Sequence, residues 1–512
     1  MGRAKTPSFV TELPLRVSPT QERLLLSRLD AGRQVYNACL GESLKRLGLL
    51  RQSKLYQAAC ELPRGPKDSA RAKARARAFR KANAAVGYSE YALHAYAAQF
   101  NRGWLGECLD INTIQKLATR AFKASQQHAF GKRGRPRFKG SQQLDSLEGK
   151  SNASGIRWRA DHIEWLGLEI EAIIDSADPV IAHGLASRIK YVRIVRRKLN
   201  GRNRFYVQLV CEGQAYAKPK NKLGQGIVGL DIGPSTLAAV GTDHAFLKQF
   251  CAELEPKRAV IRRLQRKLDR QRRASNPDNY LPDGRIRPGP KRWRKSARQR
   301  KTETKLAELQ RKQAAYRKSL HGQLVNTVLS MGNVIQTERL SYRAFQRCFG
   351  RSVGLRAPGK FIEHLKRKAE SAGATVLEFP TRSTRLSQVC HSCGTLAPKP
   401  LSQRWHRCEC GIEAQRDLYS AFLATCVEGQ WLNAGQARER WPGVDPLLQA
   451  ALSQSQPAKG RPAPSSFGLS QRQSGSPVAA GVNAVETQDG VPPVASRWAG
   501  ELVGDCRIAR TP

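Results

Sequence analysis

Four of the 12 cysteines crowd into one short stretch, Cys390-x-x-Cys393 and then Cys408-x-Cys410, while others such as Cys39, Cys60, Cys108 and Cys211 lie far apart. No other feature constrains the fold as much. Two close pairs of thiolates brought together by a turn supply the tetrahedral all-sulfur set that Zn²⁺ accepts, whereas a disulfide framework would distribute its cysteines along the chain. Gly394 and Gly411 directly follow the two pairs and permit tight knuckles; His391 and His406 are nearby competitors for the metal. Four thiolates leave no open coordination position, so the expectation is one structural Zn²⁺ on Cys390, Cys393, Cys408 and Cys410 that helps to fold the knuckle. Four ordinary buried cysteines would not cluster in this way.

Around this knuckle the chain is strongly basic. Its 88 Lys and Arg against 41 Asp and Glu leave a net charge of +47, spread over many segments instead of one tail. A polyanion is the expected partner. No run of about 18 uncharged apolar residues is present and the N-terminus lacks an apolar signal core, which points away from a membrane and towards a soluble cytoplasmic protein. A length of 512 residues leaves room for about three domains.

The pattern of the chain changes several times. Phe9 to Val17 alternates as a strand, Ser18-Pro19-Thr20 opens a helix with Leu24, Leu25, Leu29, Val35 and Tyr36 on one face, and mostly helix is expected to about residue 130. Residues 64–83 form a dense basic block, either a solvated helix face or a phosphate contact. Residues 131–222 read as β-rich, with a hairpin around Asn200-Gly201. From Gly226 two short apolar runs flank Gly233-Pro234, and two long basic helices at 253–273 and 295–330 form a hairpin interrupted by a Pro- and Gly-rich loop. Beyond about Val427 the apolar periodicity fades, and residues 431–512 are expected to be a low-complexity, disordered tail.

Three acids stand out against the positive background. Asp231 ends the apolar run Ile227 to Leu230, Glu338 closes Val334-Ile335, and Asp417 starts the helical pattern Leu418, Ala421, Phe422. Each alone has an ordinary explanation as a strand end, a surface acid or a helix N-terminal carboxylate. Together, from two strands and a helix, they would suit a site for two Mg²⁺ ions cleaving a phosphodiester, which needs hard oxygen ligands.

The order Gly229-Leu230-Asp231-Ile232-Gly233, a strand ending in Glu338, the two cysteine pairs, and Arg416-Asp417 at a helix start resembles the TnpB family of RNA-guided endonucleases, related to the compact type V CRISPR effectors. Further likeness lies in Leu15 to Thr20 with Val35-Tyr36-Asn37, in Pro136-Arg137-Phe138-Lys139, in an insertion from Ser275 to Trp293, in His321 and in Ser387-Gln388. The resemblance spans most of residues 9–427.

It implies a multidomain α+β fold: a strand and helical recognition domain at 1–130 and a β-barrel-like wedge domain at 131–222. An RNase H-like, RuvC-type α/β nuclease follows at 223–385, with a helical insertion at 253–330. A zinc ribbon at 386–412 and the third acidic motif at 413–430 complete it. The resemblance makes Asp231, Glu338 and Asp417 the catalytic Mg²⁺ ligands, with Arg416 a nucleic-acid contact. Guide RNA and target double-stranded DNA are the implied partners, and a monomer is favoured. One departure is evident: where the family has Asn two residues after the last acid, this chain has Tyr419, which lacks an amide's paired donor and acceptor. That departure motivates an alternative, a nuclease-impaired RNA-guided DNA-binding repressor; a DDE-type transposase would also use three acids.

Overall fold

A computed structural model describes residues 6–400, 402–455 and Phe467. Strand β1 (Ser8–Pro14) leads to α1 (Pro19–Gln52), whose start is fixed by a capping box: Ser18 Oγ accepts from the Gln21 N–H while Gln21 Oε1 accepts from the Ser18 N–H. Helices α2 (Lys54–Glu61), α3 (Ala70–Ala85), α4 (Glu90–Ala98) and α5 (Trp104–Cys108) connect to α6 (Ile111–Ala129). There follow β2 (Ser146–Glu148), β3 (Arg157–Arg159), β4 (His162–Trp165), β5 (Leu168–Glu171), α7 (Pro179–Ala186), β6 (Ile189–Leu199) and β7 (Arg202–Glu212).

The β6–β7 hairpin turns at Asn200 and Gly201, both in the left-handed region at φ 50° and 82°, as a two-residue turn matched to strand twist requires. β1 pairs antiparallel with β7, from Ser8 opposite Glu212 to Pro14 opposite Tyr206, giving the sheet order β1-β7-β6-β2. At its end the Arg16 N–H donates to the Glu171 carbonyl (2.9 Å) and the Ile173 N–H to the Pro14 carbonyl (2.8 Å), joining this sheet to the three-stranded β3-β4-β5.

One continuous core runs across residue 130 and joins the helices to the strands. Leu29, Val35 and Leu117 of the helices share it with Leu13, Ile163, Val192, Phe205 and Leu209 of the strands. Two long helices with apolar faces need a partner layer, and the sheet supplies it. Two motifs distant in sequence also meet here: Asn37 Nδ2 donates to the Lys139 carbonyl and the Lys139 N–H to Asn37 Oδ1, both at 2.8 Å.

The second half is built on β8 (Ile227–Ile232), β9 (Thr236–Val240), β10 (Ala245–Gln249), α8 (Glu255–Ala274), α9 (Ala297–Met331), β11 (Val334–Glu338), α10 (Tyr342–Arg356), α11 (Pro358–Ala372), β12 (Thr375–Phe379) and α12 (Thr381–Thr384). Then come β13 (Trp405–Arg407), β14 (Glu413–Gln415), α13 (Arg416–Ala424), β15 (Val427–Glu428), β16 (Trp431–Leu432) and α14 (Ala434–Gln454). The sheet order is β10-β9-β8-β11-β12; β8, β9 and β10 form an antiparallel meander, and β11 runs parallel to both β8 and β12.

Alternation along each strand divides the sheet between two cores. Val228, Leu230, Ile232 and Ile335 face Val325, Phe361 and Leu365 on one side, while Ala238 and Val240 face Leu418, Phe422 and Leu448 on the other. The helical hairpin α8–α9 touches the first half of the molecule, where the Asn200 N–H donates to Glu308 Oε2 at 3.0 Å. His321 is a core residue of α9: its ring stacks on Phe250 at 5.4 Å and Nε2 lies 2.9 Å from the Arg356 carbonyl. Among the described residues no helix is long and apolar enough to cross a membrane.

The tail is corrected over residues 434–454. They form α14 with Ala437, Val444, Leu448, Ala451 and Leu452 buried, despite Pro442 and Pro446 within the helix. An apolar face at helical spacing outweighs two prolines, each worth about 3 kcal/mol against a helix interior. Beyond Ser455, apart from Phe467, the expected tail lies outside the described residues.

Candidate functional site

The three acids come from elements far apart in sequence. Asp231 lies near the end of β8 and Glu338 at the end of β11, and because Thr337 stands opposite Leu230 in parallel register, the two carboxyls occupy neighbouring strand ends. α13 crosses this face of the sheet at close range: a Cβ on Gly229 would collide with the Ala421 carbonyl, so only glycine allows the helix so near. That approach brings Asp417, in the first turn of α13, to the strand ends.

Asp417 is buried and well partnered. Thr236 Oγ1 donates to its Oδ2 at 2.9 Å, Arg416 Nη2 lies 3.2 Å from its Oδ1, and Arg404 Nη1 lies 3.7 Å from Oδ2. Arg416 is itself anchored by donating from Nη1 to the Pro400 and Gln403 carbonyls at 3.1 and 2.8 Å. Sequence reasoning singled out Arg416 but missed Thr236 and Arg404. Neither belongs to a motif; Thr236 follows the Gly-Pro turn on β9 and Arg404 lies in the loop between the cysteine pairs.

The electrostatics tie the three acids together. Asp231 keeps part of its surface open, yet its carboxyl is held well above the usual carboxylate range, first by burial and then by the negative charges of Asp417 and Glu338, against which Arg416 and Arg404 pull. Glu338 is pushed up to about 7 by burial, offset in part by hydrogen bonds from Thr384 and the Leu386 backbone. A divalent cation would relieve this crowding, and carboxylate oxygens are the ligands Mg²⁺ prefers, so the donor set fits. The three carboxyls do not close on a single point, however. Among the described residues only the four cysteines bring three or more ligand atoms within 4.8 Å of one another.

Those cysteines do form one cluster. Cys390 Sγ lies 3.5 Å from Cys410 Sγ, and Cys393 Sγ 3.4 Å from Cys408 Sγ, close to the roughly 3.8 Å edge of a tetrahedron with Zn–S bonds of about 2.3 Å. Gly394 and Gly411, at φ 77° and 92°, turn the chain so that their N–H groups donate back to the Cys390 and Cys408 carbonyls at 2.9 and 3.0 Å. The four residues therefore fit Zn²⁺. Both histidines near them are otherwise engaged: His391 Nδ1 meets the Tyr419 hydroxyl at 2.8 Å, and His406 stacks on the Tyr419 ring at 4.3 Å with Nδ1 3.1 Å from Lys399 Nζ.

Tyr419 thus faces the knuckle. Its side chain is fully buried among His391, His406, Phe422 and Trp441, and its hydroxyl also accepts from the His391 N–H at 3.0 Å.

Much of the positive charge lies on exposed helices. Only Ala82 of α3, which carries part of the basic block, is buried, and only Ile261 of α8, so nearly all their Arg and Lys side chains face outwards. At the end of α8, Arg272 lies over the Trp293 ring at 3.9 Å and Arg273 over Tyr280 at 4.7 Å, which stiffens the tip of the helical hairpin.

Residues 359–423 match the family model of the Cas12f1-like TNB domain, a stretch running from α11 through the knuckle to α13. No curated protein matches the sequence significantly. Among solved structures, a cryo-EM structure of a Cas12f1–sgRNA–target DNA complex is similar at 12% identity and a TM-score of 0.39, covering 81% of this chain and 98% of that one. A cryo-EM structure of a CRISPR-Cas12f ternary complex is similar at 12% identity and a TM-score of 0.26, covering 79% of this chain and 82% of that one. The family match over residues 359–423, which contain the four cysteines and Asp417, supports the likeness of this chain to TnpB and the compact type V effectors.

Proposed function

We propose that this chain is an RNA-guided DNA endonuclease, which binds a guide RNA and cleaves a matching double-stranded DNA by Mg²⁺-dependent phosphodiester hydrolysis at a RuvC-like site. The observation that carries this reading is that β8, β11 and α13 deliver Asp231, Glu338 and Asp417 to neighbouring strand ends and the helix start packed against them. An antiparallel meander followed by two parallel strands, with helices on both faces, supports an RNase H-like core around them.

Asp231, Glu338 and Asp417 would hold two Mg²⁺, which supply an activated water and offset the charge of the scissile phosphate. The chain's own part is positional. Thr236 fixes the Asp417 carboxylate, while Arg416 and Arg404, whose guanidiniums already lie against that carboxylate, are the phosphate contacts. The outward-facing cations of α3, α8 and α9 hold backbone phosphates without reading bases, and sequence is read by pairing between guide RNA and target strand.

The test is cleavage by the purified protein loaded with its copurifying RNA. Cutting should need both RNA and Mg²⁺, and Asp231→Ala should abolish it while leaving guided DNA binding intact. Parental cutting by Asp231→Ala would remove the assignment. One observation favours the nuclease-impaired repressor as a second reading: both oxygens of Asp417 are already engaged. That reading predicts RNA-dependent binding with no cutting under any Mg²⁺ concentration. A transposase, by contrast, would transfer strands without RNA.

A further inference from the structure

We infer that Tyr419 is a positioning residue that transmits the state of the zinc knuckle to the turn of helix carrying Asp417. Asp417 and Tyr419 lie two residues apart in the first turns of α13. From there the Tyr419 side chain enters the knuckle and binds it at two points. Its hydroxyl accepts from the N–H of His391, the residue next to the ligand Cys390, at 3.0 Å, and shares a hydrogen bond with Nδ1 of the same histidine at 2.8 Å. On the other side its ring lies nearly parallel to His406, on the strand that leads to Cys408, with centroids 4.3 Å apart and planes at 26°. One side chain thereby contacts both halves of the metal-binding loop.

The contact is rigid for simple reasons. Tyr419 is fully buried, so neither the hydroxyl nor the His391 N–H has water as an alternative partner. Trp441 of α14 packs on both rings, 4.9 Å from His391 and 5.7 Å from Tyr419, and leaves them no room to separate. A second tie runs in the same direction: the loop between the cysteine pairs holds Arg416 through the Pro400 and Gln403 carbonyls, and Arg416 touches Asp417. When the knuckle loses zinc and its turns loosen, the first turn of α13 loses its support. An amide side chain at position 419 would be too short to make both contacts. Tyrosine here exchanges a polar group near the acids for a strut to the knuckle.

The inference rests on the nuclease reading only for the role given to Asp417, and hydrogen exchange tests the strut without it. In the full-length, zinc-loaded protein, stripping zinc with a chelator should speed exchange at the amides of residues 417–421 by about ten-fold or more, leaving those of β6 and β7 unchanged. Tyr419→Phe keeps the ring and removes the hydroxyl; with zinc still bound it should show much of that increase and should also release zinc to a chromophoric chelator about ten-fold faster. Unchanged exchange in α13 after zinc removal would overturn the inference. So would Tyr419→Phe behaving as the parent, or a uniform rise across the whole molecule, which would mark the residue as ordinary core. A parallel Mn²⁺ titration addresses the acids alone: failure of Mn²⁺ to bind in a way that Asp231→Ala abolishes would count against the nuclease reading and not against the strut.

Discussion

The cysteine knuckle and the acid cluster stand side by side on α13, and they are made in opposite ways. The knuckle draws its ligands from one short stretch, holds the four sulfurs within 4.8 Å of one another and shields its two histidines from the metal. The acids come from β8, β11 and α13, repel one another and are held partly by arginines. A site of local thiolates is a folding element complete in itself. A site of distant carboxylates exists only after the sheet has formed, and it stores unfavourable charge that a cation or a substrate can relieve. The difference teaches why one centre suits a permanent structural ion and the other a reaction.

The largest effect should come from breaking the knuckle. Cys393→Ser with Cys408→Ser should eliminate zinc from the purified protein, as read by elemental analysis, and unfold the ribbon; structural zinc contributes on the order of 10–16 kcal/mol to such modules. Nuclease activity should fall to background with it. Zinc retained at one per chain would break the assignment of the ligands.

The acids should respond to pH in the absence of bound metal. Glu338 rises from an ordinary 4.5 to about 7 in the fold and Asp231 is raised as well, so the metal-free protein favours their protonated forms. The contribution of Glu338 to stability is complete below about pH 4.5 and is lost as the pH rises through about 7, and Asp231 acts in the same direction. Mg²⁺ offsets that loss, so the rise in melting temperature on adding Mg²⁺ should be clearly larger at pH 8 than at pH 5.5. Glu338→Gln should shrink the difference. An equal shift at both pH values would show that the raised carboxyls do not bind the ion.

Smaller effects sharpen the contrast. Thr236→Val removes a hydroxyl donor to the buried Asp417 carboxylate, a bond worth about 1.5–3 kcal/mol, and should lower the melting temperature of the second half of the molecule and slow the proposed cleavage while leaving zinc content unchanged. The smallest should be Glu308→Gln at the contact between α9 and the β6–β7 turn, where melting should move by no more than about 2 °C because the partner cations Arg311 and Lys312 face solvent and such ion pairs contribute little.

What the sequence made legible follows the same division between local and distant. The knuckle, the Asn200-Gly201 hairpin, the Ser18 cap and the basic helical hairpin are written in neighbouring residues, and the structure contains each of them. The union of β1 with β7 was not legible, because a strand carries no mark of its partner. Arg404 and Thr236 were missed for that reason too: their roles come from the approach of α13 to the sheet. In α14 the apolar spacing from Ala437 to Leu452 was present, but Pro442, Pro446 and polar neighbours masked it. Tyr419 was visible as a departure from a family pattern, yet nothing in the sequence says which way its side chain points.

The central claim is that Asp231, Glu338 and Asp417 jointly hold divalent ions, and a crystal of the protein soaked in Mn²⁺ tests it most directly through anomalous scattering. The account predicts Mn²⁺ peaks bounded by these three carboxylates, absent in Asp231→Ala, alongside zinc at the four cysteines. Saturating Mn²⁺ that leaves the acids without a peak while zinc is present at the knuckle would contradict it.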